Sequence, residues 1–155
     1  MDERLSPLRA VVVRPEEAVP IKPFGLDMKV LLSTEATGGA VSVVLASHKP
    51  GEGPPDHVHF NQDEMFFIIG GTYEMTVDGE TTTIGAGSIV FIPRNAVHRF
   101  RNVGDVTGYM LDWSVPGGQD HYFKAVSELA ASGRFTGDKV MEISRRFDTS
   151  FPAAY

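Results

Sequence analysis

Two imidazoles and a carboxylate stand close together in DHVHFNQDEMFFIIGG, Asp56 to Gly71. His57 and His59 are one residue apart, Glu64 follows five residues later, and the large apolar run Met65 to Ile69 comes next. A strand entering a core avoids charge unless that charge has a partner. Residues i and i+2 of an extended segment point to one face, so His57 and His59 project together with Cα atoms roughly 6.5 Å apart. Two imidazoles at that separation can share one metal ion at about 2.1 Å each. The four residues after His59 suit a tight return that brings Glu64 to the same interior. A fourth candidate, His98, lies in GSIVFIPRNAVHRFRN. It shares a face with Phe100, while Arg99 and Arg101 take the wetter side. Each residue alone has a plainer explanation. An inward histidine is more often hydrogen-bonded in a core than bound to metal, and a lone glutamate can sit at a hydrated edge. Asp56 and Asp63 read as turn formers.

The elements that position these groups are short. Runs of β-forming residues cover 10–14, 28–33, 40–47, 65–69, 72–77, 81–84, 88–92, 97–101 and 108–114, punctuated by 16 glycines and 10 prolines. Many short strands at close spacing predict an antiparallel sandwich or barrel. The clearest hairpin is Thr72–Ile84, turned at Asp78-Gly79, a pair that tolerates positive φ. After Pro116 the period changes. A helix is expected over Gln119–Ser132, stopped by Gly133, and a shorter one over Gly137–Phe147, with Val140, Ile143 and Phe147 on one side. The tail from Asp148 to Tyr155 reads as a loop. The whole is expected to be one domain, 1–155, with its barrel over about 28–115 and helices over about 118–147.

Composition narrows the chemistry. The chain has 155 residues, 42% apolar and 22% charged, with a net charge of −6. The charge and the lack of a basic cluster argue against nucleic acid and anionic membrane as partners. The charged N-terminus does not resemble a secretory signal and no apolar run approaches a membrane span, so a cytoplasmic location is the expectation. There is no cysteine, so any metal must be held by nitrogen and oxygen.

The combined spacings resemble the cupin superfamily. Its first motif runs glycine, five residues, His-x-His, three or four residues, glutamate, six residues, glycine. Here Gly51, His57, His59, Glu64 and Gly71 keep every interval. Its second motif is met by Gly87, Pro93, His98 and Asn102, with Asn95 where the family usually has glycine. Asparagine is the next-best residue for a left-handed turn. The resemblance covers about a third of the chain directly. It implies an all-β, double-stranded β-helix (a jelly-roll barrel) with one or two C-terminal helices, similar to small quercetin-dioxygenase-like cupins. It also implies His57, His59, Glu64 and His98 as ligands of one divalent ion.

Three neutral imidazoles and a carboxylate suit Fe(II), Mn(II), Ni(II), Co(II), Cu(II) or Zn(II). Phe66 and Ile68 share the face of Glu64. On the last strand either Tyr109, Leu111 and Trp113 or Met110 and Asp112 line the interior, and the longer apolar set is the expectation. Such a wall favours a flat, apolar or aromatic small molecule. The resemblance points first to a metal-dependent dioxygenase of an aromatic or enolic substrate, with Glu64 doubling as a base. The alternatives are an isomerase, lyase or cyclase using the ion as a Lewis acid, or a non-catalytic binding protein. His121 is placed where it could cap the pocket mouth, and His48 reads as an exposed loop residue. Gln62 and Tyr73 are weaker candidates for supporting the ligands. A homodimer is expected, built on the strand AVVV and the C-terminal helices.

Overall fold

A computed structural model of the chain describes residues 8–152. Nine strands form two sheets. The larger contains β1 (Val19–Ile21), β2 (Met28–Leu32), β3 (Ser42–His48), β4 (Asp63–Gly70), β7 (Ile89–Ile92) and β9 (Gly108–Val115), in the order β1-β2-β3-β9-β4-β7. The smaller contains β5 (Thr72–Val77), β6 (Glu80–Gly85) and β8 (His98–Asn102), in the order β6-β5-β8. All pairings are antiparallel. This is the all-β jelly roll with C-terminal helices that the sequence implies. The β5–β6 hairpin turns where expected, with φ of 47° at Asp78 and 86° at Gly79. Asn95 takes the left-handed conformation, φ 74°, that glycine would otherwise fill.

Two elements differ from expectation. Residues 10–14 form no strand despite the β-branched run AVVV, and Val11 and Val12 are exposed. β-propensity yields no strand where no neighbouring strand supplies a ladder. The three residues Val19–Ile21 form β1 instead, paired with Met28–Val30. They carry a proline, which an edge strand accepts.

The core lies between the sheets. Ala46, Phe66, Ile68 and Met110 meet Tyr73, Met75 and Phe100 there. On β9 the alternation places Gly108, Met110, Asp112 and Ser114 inward. Tyr109, Leu111 and Trp113 point out, opposite to the sequence expectation. The reason is that the outer face of the large sheet is apolar too. Val43, Trp113, Met65 and Phe91 form one cross-strand row, and Leu45, Leu111, Phe67 and Ile89 form the next. When both faces are apolar, period-two alternation does not reveal which is inside.

Helix α1 (Gln119–Ala131) and helix α2 (Gly137–Arg146) follow the barrel. The Thr136 hydroxyl accepts the Lys139 amide and caps α2. Tyr122, Val126 and Ile143 make a second small core between the helices. No helix of the described residues is long and apolar enough to cross a membrane.

Candidate metal centre

His57, His59, Glu64 and His98 converge. One ligand-capable atom from each lies within 4.8 Å of all the others, and all four residues are buried. The backbone builds this directly. His57 and His98 form a reciprocal bridge, His57 N–H to His98 O at 3.0 Å and His98 N–H to His57 O at 2.9 Å, which sets their rings 4.2 Å apart. The 57–59 segment is extended but makes only isolated bridges, His57 to His98 and Val58 to Ser150, so it is no regular strand. The Asn95 amide donates to the His59 carbonyl at 2.7 Å, so the left-handed turn holds the first motif against the second. Glu64 sits near the start of β4, between Ile92 and Ser114.

The three rings are oriented alike. Nδ1 of His57 meets the Pro55 carbonyl at 2.9 Å, that of His59 the Asp148 carbonyl at 2.8 Å, and that of His98 the Ala96 carbonyl at 3.0 Å. A carbonyl only accepts, so each Nδ1 carries a hydrogen, and in the neutral ring the lone pair is then on Nε2. His98 Nε2 lies 2.8 Å from Glu64 Oε1. His59 Nε2 lies 3.5 Å from the same oxygen and makes no hydrogen bond. Lone pairs turned on a carboxylate in a buried space require a cation among them, either a proton or a metal ion. The donor set of three imidazole nitrogens and one carboxylate oxygen fits a divalent transition ion.

Electrostatics agree with that demand. Burial would push the Glu64 carboxyl up, but His59 and then His98 hold it well below the usual range. Burial acts to lower His59, yet the Glu64 charge and the Asp148 carbonyl leave it raised. Burial, with His98 beside it, drives His57 down to about 3.

The cluster opens into a cavity of about 780 Å³. Phe66, Phe100, Met28 and Phe123 line it, and His57, His59, Glu64 and Asp112 supply polar edges. Asp112 belongs to the inward set, Met110 and Asp112, that the sequence offers as the alternative on β9. Its Oδ1 has no hydrogen-bond partner among the described residues. Burial and then the Glu64 charge push its carboxyl well above the ordinary range. The tail, a loop, also reaches the site. The Asp148 carboxylate accepts the Phe60 and Asn61 amides at 2.9 and 2.8 Å, and Phe151 lines the cavity. Residues 153–155 lie outside the described residues.

Other sequence candidates fall elsewhere. His48 is not an exposed loop residue. It ends β3, is buried, and lines the cavity. Tyr73 bonds His48 and no cluster residue. Gln62 donates to the Gly117 carbonyl and accepts from Gln119, tying β4 to α1. His121 pairs with Glu35 and does not line the cavity. Asn102, the last residue of the second motif, is structural. Its side chain donates to the His48 and Val106 carbonyls and accepts from Gly104 N–H.

A jelly-roll barrel carrying an inward three-histidine, one-glutamate cluster over an apolar lumen defines a class of proteins able to hold a metal. The chain belongs to the cupin family. The family model described as "Cupin domain" matches residues 44–114. "Polyketide synthase CurC" of Streptomyces cyaneus is 37% identical over 109 residues, covering 69% of this chain and 70% of that protein. "Quercetin 2,3-dioxygenase" of Bacillus subtilis is 27% identical over 104 residues, covering 66% of this chain and 31% of that one. Among solved structures, a predicted oxalate decarboxylase of Thermotoga maritima superposes with a TM-score of 0.62 at 24% identity, covering 68% of this chain and 99% of the other.

Proposed function

We propose that the protein is a metal-dependent enzyme acting on a flat, enolisable carbonyl compound of the polyketide type, and that it catalyses a non-oxidative ring closure. The observation that carries this is the Asp112 carboxyl, which lines an apolar cavity beside the His57–His59–Glu64–His98 cluster and whose Oδ1 has no hydrogen-bond partner among the described residues. The likeness to a polyketide synthase over two thirds of both chains supports the substrate class.

His57, His59 and His98 would hold the ion through Nε2 and Glu64 through Oε1. When bound, the ion supplies Lewis-acid polarisation of a substrate oxygen. Asp112 in its ionised form, a stronger base than an ordinary carboxylate because burial and the Glu64 charge raise it, takes the proton from the carbon next to the carbonyl, and the C–H electron pair becomes the enolate. The enolate carbon then forms a C–C bond to a second carbonyl of the same molecule. Asp112 returns the proton to the new oxygen, so no oxidant is consumed and no atom is lost. The apolar walls exclude water and press the substrate flat. Glu64, tied to His98, serves chiefly as a holder, which leaves the proton transfer to Asp112.

A second reading keeps the site and adds dioxygen. It is favoured by the likeness to quercetin 2,3-dioxygenase. Metal analysis of protein purified without chelators, followed by assays of 1,3-diketones and flavonols with and without oxygen, separates the two. Product formed under strict anaerobiosis, lost in Asp112→Asn with metal retained, supports ring closure. Turnover that stops without oxygen supports the dioxygenase.

We also infer a homodimer formed through the outer face of the large sheet, where Ile89 and Phe91 are 64% and 60% exposed at the end of two apolar rows. Phe91→Asp is expected to give monomers in sedimentation, and an unchanged mass would contradict the dimer.

A further inference from the structure

His48 lies at the other end of the lumen from the cluster. Its backbone carbonyl accepts from Asn102, four residues beyond His98 on β8, and it pairs with Gly108, four residues before Asp112 on β9. Four residues of strand are about 13 Å. The rings of Phe100 and Phe66 line the interval. His48 stands edge-on to Phe100 at 5.0 Å, and Phe100 to Phe66 at 5.3 Å.

The hydrogen on His48 can be located from its neighbours. Its Nδ1 lies 3.0 Å from the Tyr73 hydroxyl. Tyr73 is fully buried, and burial, with the Glu52 charge, pushes its hydroxyl further up, so it keeps its proton. Among the described residues His48 Nδ1 is the hydrogen-bond partner of that hydroxyl, and packing leaves little room for another: a Cβ at Gly108 would come within 2.5 Å of the oxygen. Either tautomer leaves one hydrogen without an acceptor, but with the hydroxyl donating to Nδ1 and the imidazole hydrogen on Nε2 no ring lone pair is stranded as well, which favours that tautomer. That Nε2–H has no acceptor among the described residues, although His48 is only 1% exposed and its ring lines the cavity. A buried donor without an acceptor is costly, and a bound ligand is where the acceptor would come from.

We propose that His48 Nε2–H is a second anchor of the cavity, and that it selects ligands carrying a neutral oxygen acceptor, a ketone, quinone or ring ether, at the end away from the cluster. The inference rests on the flat, apolar substrate proposed above and extends it to a molecule with oxygens at both ends. A carboxylate is disfavoured. The site is apolar, and burial keeps His48 neutral down to about pH 4, so it cannot offset an anion's charge.

Two measurements on the full-length, metal-loaded protein test this. In ¹⁵N-histidine-labelled protein, His48 should appear as the Nε2–H tautomer. An Nδ1–H signal for His48 would overturn the proposal. The second uses α-tetralone and tetralin, which differ by one ketone oxygen. The wild type is expected to bind α-tetralone about tenfold more tightly than tetralin, the size of one neutral hydrogen bond. In His48→Phe, which keeps the ring packing, the preference should fall to about one while tetralin binding is unchanged. A preference that survives in His48→Phe, or failure of α-tetralone to bind the wild type, overturns the anchor. Should His48→Phe not fold, Tyr73→Phe replaces it. That variant should show mixed His48 tautomers and a reduced preference, and an unaltered preference would count against the proposal. A persisting ketone preference without metal or turnover would sink the catalytic reading alone. Turnover with a His48-independent preference would sink the anchor alone.

Discussion

His57, His59 and His48 line one cavity, yet the metal-site cluster and His48 take opposite hydrogen-bond arrangements. His57, His59 and His98 each give Nδ1–H to a backbone carbonyl and turn a lone pair inward. In the tautomer proposed above, His48 receives a phenolic hydrogen at Nδ1 and keeps its own on Nε2. The same side chain becomes a metal donor or a hydrogen-bond donor according to what touches its far nitrogen. The partner, more than the histidine, assigns the role.

Breaking the lone-pair side has the largest expected effect. His98→Ala removes a proposed ligand and leaves Glu64 buried with fewer partners. Metal content measured by mass spectrometry should fall to near zero, and any metal-dependent turnover by more than about 10³-fold. Asp148→Ala acts more mildly. It frees the Phe60 and Asn61 amides and loosens the carbonyl that orients His59. Metal affinity by competition with a chelator should weaken about tenfold or more, at the lower end of what removing an orienting partner costs. Unchanged affinity would mean that the tail does not position the ring.

The His48 side is sharpened by pH. His48 is held down to about 4 in the folded state, against an ordinary value near 6.5. Between those values the unfolded chain binds the extra proton and the folded one does not. Stability is therefore full above about pH 6.5 and declines as pH falls toward 4, by on the order of 3 kcal/mol. Urea midpoints of metal-free protein at pH 7 and pH 4 should differ less in His48→Phe than in wild type, with the residual slope coming in part from His57. Equal slopes would contradict the neutral, buried imidazole. The smallest effect is expected at the turn linking the motifs. Asn95→Gly relieves a left-handed side chain and should change stability by less than about 1 kcal/mol in thermal melts, with metal binding intact.

Much of this was legible in the residues because spacing encodes it. The intervals of His57, His59, Glu64 and His98 match the cupin motifs, and that resemblance implies their convergence, while Asp78-Gly79 and Asn95 mark turns by their tolerance of positive φ. What stayed hidden depends on contacts that no local pattern carries. Asp112 was misplaced because the sheet is apolar on both faces, so alternation along β9 is ambiguous. His48 looked exposed beside Lys49-Pro50, yet pairing with Gly108 carries it to the end of an inward-facing strand. The tail reads as a loop, and it is one, but Asp148 and Ser150 return to the first motif through bonds spanning some 90 residues of sequence.

The central claim is that the three inward Nε2 atoms and Glu64 Oε1 hold one divalent ion. Anomalous diffraction from crystals of protein purified without chelators, collected at transition-metal edges, tests it most directly. The account predicts a single peak about 2.1 Å from each of the three Nε2 atoms and bonded to Glu64. A cluster with no peak after metal soaking, or an ion bound elsewhere with Nε2 protonated at all three histidines, would contradict it.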